Sequence, residues 1–128
     1  MRKWNLSVNN EENQRLIILE LEEVEEYYRD AFQIGDRIYF NEIDDYLGEI
    51  KYIDSDNSHI DLIKNNGDVV QAKSPNKYDV FLTVESNLFE REDGYYAEGI
   101  NRISINSFGN YKTNNTIFSA LIKDLESR

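Results

Sequence analysis

Hydrophobic and polar residues alternate along most of this chain, which is typical of β-strands that bury one face. The alternation is clearest in residues 78–85, where Val80, Leu82 and Val84 occupy every second position. Further strands are predicted at residues 14–23, 36–41, 46–54, 59–64, 68–73, 95–98, 101–106 and 116–126. The pattern therefore predicts an all-β domain.

One short helix is predicted at residues 24–32, since its apolar side chains recur at spacings of three to four residues. Those side chains are Val24, Tyr27, Tyr28 and Phe32. Turns are predicted at residues 44–45 and at residues 65–67, where Asn-Asn-Gly tolerates positive φ. Pro75 lies in the predicted connection that follows the second hairpin.

The two halves of the chain resemble each other, segment by segment and in the same order. The matched segments are 19–22 with 82–85, 36–41 with 101–106, and 48–55 with 120–127. This similarity predicts a duplicated strand, connector, strand, strand unit in residues 15–55 and 78–127, with the hairpin of residues 59–73 inserted between the copies. Six repeated strands would close into a small pseudo-two-fold β-barrel without exposed edges. A β-sandwich is the alternative.

The composition narrows the classes of function. At 128 residues the chain fits one domain, which we expect at residues 14–128 after a flexible leader at residues 1–13. With 14 basic and 25 acidic residues, the net charge of −11 argues against nucleic acid and anionic membrane surfaces as partners. The chain has no cysteine and His59 is its single histidine, which excludes thiolate zinc sites and HExxH metal sites. No cofactor is expected.

Short motifs at the predicted strand ends are shared with a known family. They are Phe32-Gln33-Ile34-Gly35-Asp36-Arg37-Ile38-Tyr39, Tyr46-Leu47-Gly48-Glu49-Ile50, Lys77-Tyr78-Asp79-Val80 with Leu82-Thr83-Val84-Glu85, Gly94-Tyr95-Tyr96-Ala97-Glu98-Gly99, and Thr116-Ile117-Phe118. Over about residues 15–126 the chain resembles a bacterial family called domain of unknown function 4330. The resemblance implies an extracytoplasmic domain that commonly follows one N-terminal membrane-spanning helix. Residues 1–14 contain no such helix, so membrane attachment is expected only through an anchor missing from this chain.

Adjacent tyrosines and two arginines are the candidate binding residues. We expect one tyrosine of each pair to be exposed at a connector, where its ring offers contact area and its hydroxyl a hydrogen bond. The two arginines hold matching positions in the predicted halves, where they could pair with acids or hold an anion. The candidate surface for a protein or glycan partner comprises Tyr27, Tyr28, Tyr95, Tyr96, Tyr111, Arg37 and Arg102.

Clustered aspartates raise the question of a metal site. Residues 54–58 begin like an EF-hand calcium loop, but His59 stands at the glycine position and Asn65 at the position of the bidentate glutamate. No metal site is therefore predicted, and a solvated acidic turn is the main interpretation. A weak cation site is left open at Asp44, Asp45, Asp54 and Asp56.

These observations favour a non-catalytic binding or assembly module on the extracytoplasmic side of a bacterial membrane, with no catalytic residues. A cytoplasmic protein-interaction or regulatory domain is the alternative. A carboxylate-based carbohydrate enzyme is a third hypothesis. Such hydrolases need two carboxyl groups at a defined spacing, and nothing in the sequence singles out such a pair.

Overall fold

The computed structural model describes residues 12–98 and 101–127. Most of the predicted leader, residues 1–11, therefore lies outside the described residues. Within them the elements are β1 (Glu12–Val24), α1 (Glu26–Asp30), β2 (Arg37–Phe40), β3 (Tyr46–Ile63), β4 (Val69–Arg91), β5 (Gly94–Tyr96), β6 (Arg102–Ile103), β7 (Phe108–Lys112) and β8 (Ile117–Ser127). In this part of the chain no helix is long and apolar enough to cross a membrane.

All eight strands form one antiparallel sheet in the order β1-β8-β7-β2-β3-β4-β5-β6. Because β1 also pairs with β4, the pairings of six strands return to their starting point and form a ring. The shortest pairing in the ring joins β2 and β7, where Tyr39 pairs with Lys112 and Phe40 with Tyr111. The prediction of an all-β, barrel-like domain with one short helix is confirmed, and the two-sheet sandwich is not observed.

The core lies inside this ring and follows the alternation seen in the sequence. In β1 the residues Ile17, Leu19 and Leu21 are at most 1% exposed, and every second residue of β4 from Val80 to Val84 is fully buried. Side chains at every second position of a strand point to the same face, so both strands direct their apolar faces inward. Their buried apolar area is the main source of stability, at roughly 25 cal/mol per Å².

The strand pairings repeat across a pseudo-two-fold axis. Leu19 pairs with Ile122 in the same way that Val84 pairs with Ile50. Each pairing has a one-residue bulge directly beside this point, and the extra residue is a lysine in both cases, Lys123 in β8 and Lys51 in β3. This register agrees with the predicted match of residues 48–55 with 120–127. The predicted match of residues 19–22 with 82–85 is wrong by two positions, because the pairings make Leu19 equivalent to Val84 and Glu20 to Glu85. A duplication as the origin of the pattern stays a prediction.

The second predicted match, residues 36–41 with 101–106, is not the one the structure makes. Residues 102–103 form β6, which pairs with β5 outside the ring. The place equivalent to β2 belongs to β7, because β7 pairs with β8 as β2 pairs with β3. The turns before β2 and β7 correspond as well, since Gly35 and Asn106 have positive φ of 97° and 71°.

Several predicted boundaries also change. The hairpin of residues 59–73 continues β3 and β4 without interruption, with a register shift between Asn57 and His59, so Pro75 lies within β4 instead of in a connection. We call residues 59–73 the arm. The helix covers five residues instead of nine, because Glu25 caps it without a side-chain hydrogen bond and Ala31 already ends it.

Candidate functional site

A groove opens where β1 and β8 separate. Their last paired residues are Glu20 and Leu121. Beyond that pair, β1 continues beside β4 to Val24, while residues 117–120 of β8 pair with β7. The groove has a volume of about 340 Å³ and is lined by Glu20, Leu21, Glu22, Val24, Tyr28, Phe108, Phe118 and Ser119.

Apolar side chains form most of the groove surface. Leu21 and Phe118 belong to the buried core, so their outer atoms form the floor. Phe108 on β7 is 73% exposed and stands at the rim. A concave, mostly apolar surface with a few polar groups is the usual form of a binding site.

Helix α1 closes one end of the groove. The Tyr27 hydroxyl donates a hydrogen bond to Oγ1 of Thr116 over 3.3 Å, which ties the helix to the residue before β8. After the helix, the ring of Phe32 packs edge-on against that of Phe118, with centroids 4.9 Å apart. These two contacts fix the distance between α1 and β8, so the end of the groove is preformed.

Glu20 is the exceptional polar residue of the groove. Its side chain is 8% exposed, and its nearest cation is Nζ of Lys123, 3.5 Å from Oε1. At that distance the contact is an ion pair without a well-formed hydrogen bond, and Oε1 is buried without a hydrogen-bond donor. Burial raises the pKa of Glu20, the charges of Glu22 and Asp79 raise it further, and Lys123 partly opposes them.

The equivalent position in the other half of the ring is closed. There β4 continues past Glu85, the counterpart of Glu20, and Oγ of Ser86 donates a hydrogen bond to the carbonyl of Leu47 in β3. The close approach also needs Gly48, since a Cβ at this residue would overlap the backbone of Glu85. The backbone pairing of β3 and β4 also ends here, at Glu49 and Glu85, but the Ser86 hydrogen bond and the close approach at Gly48 keep the two strands in contact.

The residues that close one half are absent from the other. By the strand register, Leu21 occupies the place of Ser86 and Ala120 that of Gly48. Leucine has no hydroxyl to donate, and the Cβ of alanine prevents an equally close approach. The groove thus results from two side-chain differences between otherwise similar halves.

The predicted surface residues do not form one site. Tyr28 lines the groove, and the ring of Tyr27 packs edge-on against the ring of Tyr28, with centroids 5.1 Å apart. Tyr95 and Tyr96 lie in β5, near the end of the strand order, and β1 and β8 lie at its other end. Tyr96 pairs with Arg102 of β6. The structure therefore separates the first tyrosine pair from the second.

The β5 region is a small cluster of arginines and tyrosines. Arg91 lies over the ring of Tyr96, 4.8 Å from its centroid, and Arg15 lies over that of Tyr95 at 5.2 Å. The Tyr96 hydroxyl donates to Asp93 over 2.7 Å, which raises the pKa of the tyrosine and lowers that of the aspartate. Such stacking orders side chains at the surface and creates no cleft.

Two predicted residues have other environments. Arg37 lies in β2, opposite Glu49 of β3 in the strand register. The pKa of Glu49 is lowered mainly by a hydrogen bond from Lys51 and also by the charge of Arg37. Tyr111 is 2% exposed, and burial raises its pKa to about 12. The expectation that Tyr111 belongs to an exposed binding surface is therefore wrong, because its side chain points into the ring.

The four aspartates considered for a cation have separate partners. Asp44 pairs with Lys112, and Asp45 accepts a hydrogen bond from Asn101 over 2.7 Å. Asp54 caps the backbone of the next residue, and Asp56 pairs with Lys73. Within residues 12–98 and 101–127, no three His, Cys, Asp or Glu side chains are arranged to hold a metal ion.

Sequence reasoning missed the central residues of the groove. Glu20 reads as an ordinary solvated position of an alternating strand, and Ser119 carries no signal. Phe108 was identifiable only as an aromatic residue near a connector. Comparison with known proteins finds no matching family model, no similar curated protein and no solved structure of similar fold. The resemblance to domain of unknown function 4330 stays a prediction from short motifs.

Proposed function

We propose that this protein is a non-catalytic binding module whose groove takes up a short segment of a protein partner. The observation that carries this proposal is the groove itself, which is preformed, mostly apolar and open at the point where β1 and β8 separate. A segment laid into it would cover Phe108 and the accessible atoms of Leu21 and Phe118. Aromatic side chains in such positions commonly dominate the binding energy of an interface.

Binding is favoured over catalysis by the chemistry of the groove. Oγ of Ser119 donates to the side-chain oxygen of Asn110 over 2.6 Å, so an amide and not a base is its partner. This arrangement does not activate a serine nucleophile.

A carbohydrate hydrolase is a second candidate, because Glu20 and Glu22 line the same groove and the first has a raised pKa. The apolar lining disfavours it, since sugar hydroxyls need hydrogen-bond partners. A panel of nitrophenyl glycosides is expected to remain intact with the wild-type protein. Hydrolysis that Glu20→Gln and Glu22→Gln each abolish would replace our proposal by this one.

The binding proposal is tested by selecting peptides from a random displayed library. The library is first depleted on Phe108→Asp, which places a charge at the groove rim, and then selected on the wild-type protein. The matched control is a depletion on Tyr52→Asp, a residue that is 66% exposed outside the groove. Selected peptides should shift the backbone NMR signals of the groove residues. Recovery of no peptide after depletion on Phe108→Asp, or selected peptides that shift only distant signals, would refute the proposal.

Self-association through the arm is a second part of the proposal. Ile60, Leu62, Val70 and Ala72 share one face of this two-stranded hairpin, and the first two are 39% and 46% exposed. Residues 59–73 contain two lysines and two aspartates, so the arm is neutral on a chain of net charge −11. Copies of an acidic protein repel least through a neutral surface, so we propose a second copy of this chain as the occupant of this face.

The place of action follows the family resemblance alone. We propose the extracytoplasmic side of a bacterial membrane, with a cytoplasmic interaction domain as the alternative. Protease added to wall-stripped, intact cells that express the native gene should remove the domain. Full protection of the domain, with cleavage only after lysis, would favour the cytoplasm.

A further inference from the structure

If the proposed binding function holds, the side chains of the groove also indicate the chemistry of the ligand. Glu20 lines the groove, its side chain is more than nine-tenths buried, and the cation beside its Oε1, Nζ of Lys123, lies 3.5 Å away, too far for a well-formed hydrogen bond. A buried charged oxygen without a donor is costly, and a ligand that supplies one N–H would remove that cost. The missing partner is therefore a hydrogen-bond donor.

The charges around Glu20 favour a cationic donor. Glu22 follows on the same face of β1, and Asp79 on β4 adds a third negative charge. Lys123 on β8 is the cation that faces this group, and its side chain is 54% exposed. Tyr28, from α1, lines the groove as a neutral aromatic side chain. The negative charges of three carboxylates are thus opposed by the positive charge of one half-exposed lysine.

We infer that the groove binds a lysine or arginine side chain of a partner, with its alkyl stem on the apolar floor and its N–H groups directed at the carboxylate of Glu20. Long basic side chains combine an apolar stem with a charged end. The stem can therefore contact the apolar side chain of Phe118 while the charged end reaches the carboxylate of Glu20. The net charge of −11 would also attract a basic segment from a distance. The stem gives contact area, and the charge gives selectivity.

The test compares two small probes that differ in charge. 2-Phenylethylammonium and 2-phenylethanol are titrated into the isotope-labelled protein, and the shifts of the Leu21, Phe108 and Ser119 amides are measured. The ammonium probe should bind at least about tenfold more tightly than the alcohol, as expected for a charge-assisted hydrogen bond. Raising the salt concentration should weaken only the ammonium probe.

Two variants separate this inference from the proposed function. Glu20→Gln should reduce the ammonium affinity to that of the alcohol, whereas Glu85→Gln changes the pseudo-symmetric carboxylate and should leave it unaltered. Dispersed NMR spectra of both variants confirm that they fold. Equal binding of the two probes in the groove would overturn the cationic inference and leave the binding function intact. If neither probe shifts the groove amides, both are refuted.

Discussion

Replacing Glu20 by methionine should stabilise the protein while it abolishes recognition of a cation. The substitution removes a buried carboxylate whose Oε1 lacks a donor, a situation that costs about 1–3 kcal/mol. It also removes the ion pair with the half-exposed Lys123, which contributes about 0.2–1 kcal/mol. The difference predicts a net gain of about 1 kcal/mol in the free energy of unfolding at neutral pH. Functional residues are often kept at the expense of stability.

The gain should depend on pH in a defined direction. Because the pKa of Glu20 in the folded state lies above its ordinary value of 4.5, folding favours the protonated carboxyl group. The wild-type protein has this contribution in full below the ordinary pKa and loses it as the pH rises through the folded-state pKa. The advantage of Glu20→Met should therefore be small at pH 4 and reach its full size at pH 7.5.

Urea unfolding followed by circular dichroism at both pH values provides the measurement. The control is Glu22→Met, which removes an exposed carboxylate from the same strand and should change stability by less than about 0.5 kcal/mol. A Glu20→Met variant that is less stable than the wild type at pH 7.5 would refute the reasoning. Glu20 would then serve the fold through its ion pair instead of serving a ligand.

Three further predictions concern other parts of the molecule. Gly48→Ala should destabilise the protein by more than about 2 kcal/mol in thermal unfolding, because its Cβ would overlap the Glu85 backbone; an unchanged midpoint would show that β3 and β4 approach less closely. In a spectrophotometric titration, one of the nine tyrosines should ionise only near pH 12, and Tyr111→Phe should remove this late step; a late step that persists would assign it to another tyrosine. Leu62→Asp should abolish concentration-dependent association in sedimentation without lowering stability by more than about 0.5 kcal/mol, as this side chain is 46% exposed; an equally associating variant would exclude the arm.

Local patterns predicted the strands that bury one face, because apolar residues at every second position can be recognised in the sequence itself. Residues 78–85 are the clearest case and lie in β4. β7 was missed, since Gly109 and Asn110 are typical of loops and only its pairing with β8 makes this segment a strand. The sequence predicts that Tyr111 lies at an exposed connector, whereas its alternation within β7 turns it inward beside Phe118.

The groove could not be predicted because it depends on where two distant strands separate. Glu20 and Leu121 are about a hundred positions apart in sequence, and the burial of Glu20 follows from their pairing. The internal similarity came closest to revealing it, since the match of residues 48–55 with 120–127 aligns Gly48 with Ala120. What the match could not show is that this difference opens one half and closes the other.

The central claim is that the groove beside Glu20 is where this protein binds its partner, and a fluorescent label tests it most directly. The chain has no cysteine, so Ser119→Cys places one environment-sensitive fluorophore at the groove, and Asn66→Cys places the same label at the tip of the arm. A basic peptide from the library selection is titrated into both labelled proteins. We predict a saturable change in emission at residue 119 and none at residue 66. A change at residue 66 alone, or equal changes at both positions, would contradict the claim.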